Sequence, residues 1–94
     1  MNERKKANLE TRAEKLGKQR TALNYALYLV QKRQEQAADM VANVPNNIYI
    51  EEWKQEAERM GQYVERLEEL AQDLAKGQSI IFLEIDKLEK QERI

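Results

Sequence analysis

The side chains of this chain that could do chemistry are nearly all carboxylates and cations. Glu65, Glu69 and Asp73 fall four apart with Glu68 beside them, a spacing that stacks side chains on neighbouring turns of a helix. Acids so placed hold metal pairs in some helical bundles, but those sites also take histidines at fixed spacing, all aimed into the core. This chain has no histidine and no cysteine. The commonest general base and the usual imidazole and thiolate ligands are therefore missing. Ser79 is the only serine and has no base to activate it; just after Gly77, it reads as a helix cap. The glycines at 17, 61 and 77 are too far apart for a phosphate-cradling loop. The acids read as a solvated face. No metal, cofactor or catalytic residue is expected, and the chain reads as a non-enzyme.

The cations carry a second chemistry. Arg4, Lys5, Lys6, Arg12, Lys15 and Lys18, with Arg20, face only three glutamates within the first twenty residues. Lys32 and Arg33 follow, near Tyr25 and Tyr28. Cations beside aromatics can neutralise phosphates and stack bases, so nucleic-acid binding through the first six of these residues is one reading. Yet the whole chain carries a net charge of −1. Residues 1–43 hold nine Lys/Arg against five Asp/Glu, and residues 44–94 hold seven against twelve. Halves of opposite sign attract, although exposed ion pairs contribute only ~0–1 kcal/mol each. The basic stretch reads first as a mate for the acidic half and second as a nucleic-acid contact.

Long helices must position these groups. Charged residues make up 35% of the chain and aromatics 6%, a composition typical of solvent-bathed helices. Trp53, Met60, Leu67, Leu74, Ile81 and Leu88 fall seven apart. Ile50, Ala57, Val64, Ala71, Gln78 and Ile85 interleave with them at spacings of three and four, the seam of a helix packed along a partner helix. Leu9, Leu16, Leu23, Val30, Ala37 and Val44 form a like series. Its companion is poorer, in either of two phases: Ala13, Arg20, Leu27, Gln34, Val41, or Arg12, Gln19, Ala26, Arg33, Met40.

The only proline, Pro45, ends the first helix, because proline drives its predecessor out of helical dihedrals. Asn46 or Asn47 then caps the second helix. The spacing predicts one hairpin domain over residues 1–94: helix 1 over about 3–43, a turn at 44–47, and helix 2 over about 48–92. A connection this short makes the helices antiparallel neighbours. With partner numbers summing to about 93, Gly17 falls opposite Lys76-Gly77. One choice stays open. Lys76-Gly77-Gln78-Ser79 has the signature of a stop and a new cap, which predicts a kink or a short third helix after Gly77, whereas the heptad phase runs through it unbroken.

A two-helix hairpin hides one stripe per helix, and this chain has apolar residues to spare. Tyr25, Tyr28 and Leu29 lie off the first stripe; Tyr49, Tyr63 and Leu70 form a column beside the second; Ile80, Phe82 and Leu83 surround Ile81. Burying each is worth roughly 1.5–3 kcal/mol. The fold expected is therefore an all-α, antiparallel two-helix coiled-coil hairpin that pairs with a second copy into a four-helix bundle. The function expected is that of an adaptor, regulator or assembly factor binding a further protein, with Tyr25, Tyr28, Leu29, Tyr63, Phe82 and Leu83 as contacts. No apolar run approaches the ~20 residues of a membrane span, and no apolar stretch follows the basic start as in a signal peptide. A cytoplasmic protein without a membrane role is expected.

Overall fold

The computed structural model describes residues 2–92. Two long helices, α1 (Asn2–Asn43) and α2 (Ile50–Glu92), form a hairpin, and no strand occurs among the described residues. The connection is built from backbone bonds. Val44 N–H donates to the Met40 carbonyl (3.1 Å), and Asn47 N–H donates to Val44 O (3.2 Å) across Pro45 and Asn46. No described residue other than glycine has positive φ, so this is a type I turn, which suits proline at its second position. Asn47 is the cap: its side-chain oxygen accepts from Tyr49 N–H at 2.7 Å, and its carbonyl accepts from Ile50 N–H at 3.1 Å. Ile48 and Tyr49 are used up in that turn, so α2 begins two residues later than the spacing suggests. Glu51 and Glu52 sit in its first turn, where carboxylates suit the helix dipole.

α2 runs through Gly77 without a break, and no glycine has positive φ. A helix stop of the expected kind needs a left-handed residue after the last turn, and Gly77 is not one. Among the described residues no third helix forms after Gly77, and Ser79 lies exposed in mid-helix rather than at a cap. What outweighs the local stop signal is packing. The Leu16 side chain lies 3.7 Å from where a Cβ on Gly77 would stand, while Leu74, Ile81 and Leu88 stay on the covered stripe.

By internal contacts the hairpin resolves into two units: one takes residues up to Ala22 and from Ala71 onward, the other Leu23–Leu70. In the free-end unit, Ala13, Ile81 and Ile85 are buried, with Leu9 and Leu16 packed against them. In the turn-side unit, Ala37 is wholly buried, and half-buried Leu27, Val30, Trp53, Met60, Val64 and Leu67 supply the rest of the stripe. Of the two phases open for α1, the covered one is Ala13, Arg20, Leu27, Gln34, Val41; Arg12, Gln19 and Arg33 of the other are exposed.

Each unit also holds a glutamine on its stripe, facing a glycine. The Gln78 amide nitrogen lies 3.3 Å from where a Cβ on Gly17 would be, and that of Gln34 lies 3.1 Å from the same point on Gly61. Any side chain there would crowd the amide, so these two glycines serve close approach. Gly17 thus meets Gln78 rather than Lys76-Gly77.

Candidate interaction surfaces

Four large apolar side chains from the predicted contact set belong to the turn-side unit. Tyr25, Tyr28 and Leu29, at i, i+3 and i+4, share one face of α1, and all three are exposed, Tyr25 to 64%. That face points away from the covered stripe at Leu23, Leu27 and Val30. The Lys32 ammonium lies 5.2 Å from the centre of the Tyr28 ring, a cation–π distance. Tyr63 is exposed on α2, in the column that runs beside the stripe from Tyr49. Phe82 and Leu83 belong to the free-end unit and are likewise exposed. The six residues are thus divided between the two units. Tyr25, Tyr28 and Leu29 are brought together; Phe82 and Leu83, one residue apart, diverge by about 100° around α2.

Three exposed apolar residues near the turn escaped the sequence reading as contacts: Val44, Ile48 (84% exposed) and Tyr49. Their signal was the turn itself, since residues committed to a tight connection have no stripe to join. Tyr49 also lines a recess of about 280 Å³ with Trp53, Arg33, Glu52 and Glu56. There the Arg33 guanidinium lies 5.0 Å from the Trp53 ring centre and its Nε is 3.3 Å from Glu56 Oε1.

The cations predicted for nucleic acid all lie in the free-end unit, and they divide. Lys6 is half-buried and paired with Glu89 at 3.1 Å. The hydrogen bond and charge of that carboxylate hold the Lys6 pKa above its ordinary value of 10.5, against a smaller opposing effect of burial. Lys18 pairs with Glu14 at 3.5 Å. Arg4, Lys5, Arg12 and Lys15 are exposed and form no ion pair among the described residues. Lys5, Arg12 and Lys15 line two adjoining recesses along α1. One, of about 390 Å³, has Leu9, Leu88 and Glu84 as further walls; the other, of about 180 Å³, has Leu16, Gln19 and Ile81.

On another side of the same unit, an open groove of about 650 Å³ passes Glu10, Glu14, Gly17, Gln78 and Phe82. The Gln78 amide at its base is committed: Arg20 Nη1 donates to its oxygen at 2.6 Å, and its nitrogen donates to Ala13 O at 3.2 Å. Glu65, Glu68, Glu69 and Asp73 are exposed, with Glu69 paired to Arg66 at 3.2 Å. Among the described residues no three acids converge on a metal-sized site, and no helix is long and apolar enough to cross a membrane.

No protein-family model matches the chain, and no curated protein or solved structure does.

Proposed function

We propose that the chain is a non-enzymatic protein–protein interaction module, working as an adaptor, regulator or assembly factor. In this reading the hairpin is an antiparallel coiled coil that pairs with a second copy into a four-helix bundle, and the outward face of α1 at Tyr25, Tyr28 and Leu29 is held out to a partner protein. One observation carries it. Among the described residues ten large apolar side chains are exposed while only Ala13, Ala37, Ile81 and Ile85 are buried. A cytoplasmic setting is part of the same proposal.

Sedimentation of Tyr28→Glu and Phe82→Glu beside the wild type tests the surfaces. At least one change should lower the particle mass or abolish partner capture while circular dichroism stays helical. Unchanged mass and unchanged capture for both would defeat the assignment. The nucleic-acid reading, through Arg4, Lys5, Lys6, Arg12, Lys15 and Lys18, is separated by gel-shift titration at two salt concentrations. The interaction module should shift neither duplex nor single strand, while a nucleic-acid binder would show affinity falling steeply with salt.

A further inference from the structure

The paired recesses along the free-end unit combine an apolar floor with unpaired charge that is mostly positive. Leu9, Leu16, Ile81 and Leu88 form the floor. Lys5, Arg12 and Lys15 form the rim, with Glu84 the single carboxylate lining either recess. Neighbouring cations are already answered within the chain, Lys6 by Glu89, Lys18 by Glu14 and Lys90 by Asp86. These three are not, among the described residues. Lys5 to Gln19 covers fourteen helical rises, about 21 Å at 1.5 Å each, or four turns of an occupant helix. Arg12 borders both recesses, so two apolar side chains about two turns apart on an occupant would enter them on either side of one guanidinium.

We infer that this surface docks an acidic amphipathic helix of a partner protein: apolar anchors in the two recesses, and glutamates or aspartates meeting Lys5, Arg12 and Lys15. Helix-in-groove recognition of this kind places anchors at i, i+4 and i+7. The partner class follows from the lining. Floor side chains that are all aliphatic give a nucleobase nothing to stack on, and single-strand binding depends on such stacking. A carboxylate-rimmed apolar stripe matches both the floor and the rim. The inference rests on the interaction-module reading but concerns other residues than Tyr25, Tyr28 and Leu29, so the two can fail separately.

The test uses a fluorescein-labelled sixteen-residue helical peptide with leucines at i, i+4 and i+7 and glutamates flanking them, read by anisotropy against the full chain. Controls are the same composition scrambled, the same stripe flanked by lysines, and a labelled single-stranded oligonucleotide. The striped acidic peptide should bind, at least tenfold better than either control peptide, and Arg12→Glu with Lys15→Glu should weaken it at least tenfold. Both substitutions are on exposed side chains, and an unchanged circular dichroism melt would show the fold intact. Equal binding of the scrambled peptide, tighter binding of the oligonucleotide, or no binding would each overturn the inference. So would a wild-type dimer that the double substitution dissociates, because the groove would then belong to a second copy. Loss of peptide binding with Tyr28→Glu still altering assembly would leave the broader interaction reading standing.

Discussion

The turn-side unit and the free-end unit use the same local device with different surroundings. Each places a glutamine of one helix against a glycine of the other, Gln34 at Gly61 and Gln78 at Gly17. In the free-end unit the glutamine is braced by an arginine and a backbone carbonyl, beside a small aliphatic core of Ala13, Ile81 and Ile85. In the turn-side unit no such brace on Gln34 is seen among the described residues. Close packing there centres on Ala37, with five of the six aromatics in the unit and three of its tyrosines at half exposure or more (Tyr25, Tyr28, Tyr49). Charge separates them too. Residues 23–70 hold five Lys/Arg against nine Asp/Glu, the remainder eleven against eight. One unit is held by aliphatic burial plus a polar clamp; the other keeps its four tyrosines exposed while Trp53 joins the stripe.

Substitutions at the two cores should break this contrast most sharply. Ile81→Ala empties the free-end core and should cost about 2–4 kcal/mol, read by urea or thermal unfolding. Ala37→Leu overfills the closest point of the turn-side unit and should cost about 1–3 kcal/mol. If Ala37→Leu were neutral, the helices there would be less closely packed than the buried alanine implies.

The glutamines come next. Gln78→Ala removes a hydrogen bond to a charged group and leaves Arg20 half-buried without it, which should cost about 1–2 kcal/mol. Gln34→Ala loses no such brace and should cost no more than about half of that. Equal costs would show that the clamp adds nothing.

Much of this architecture was legible from spacing alone. The stripes from Ile50 to Leu88 and from Leu9 to Ala37 repeat over five or more turns, and a periodic signal that long outweighs local noise. Gly77 was ambiguous because a stop signal is judged on four residues, whereas its resolution depends on Leu16, sixty-one positions away. The role of Gly17 and Gly61 could not be read, because the amides they admit come from the other helix. The predicted contacts were individually exposed, but their division into separate faces follows from which phase of α1 is covered, and composition left both phases open. The basic recess was half visible: its cations were picked out, while Leu9, Leu16, Ile81 and Leu88 were read as seam and not as the floor of a recess.

Smaller effects sharpen the picture. Gly77→Ala meets only ordinary van der Waals contact and should stabilise by about 0.5–1 kcal/mol through helix propensity. Gly17→Ala gains the same propensity but must displace the Gln78 amide, so it should fall short of Gly77→Ala in the same melt. The weakest effect is that of pH. Because Glu89 raises the Lys6 pKa, the stabilisation from that pair is fully present below 10.5 and is lost as pH rises through the raised value. Wild-type melting temperature minus that of Lys6→Met should be flat from pH 7 to 10 and shrink above that range; a difference already vanishing at pH 8 would mean the pair does not form.

Sedimentation equilibrium of the wild-type chain over a hundredfold concentration range tests the central claim most directly. A surface with ten large apolar side chains left open should bring two copies together, giving a particle of twice 11.1 kDa at the upper concentrations. A mass of 11.1 kDa throughout, with the helices intact, would contradict it.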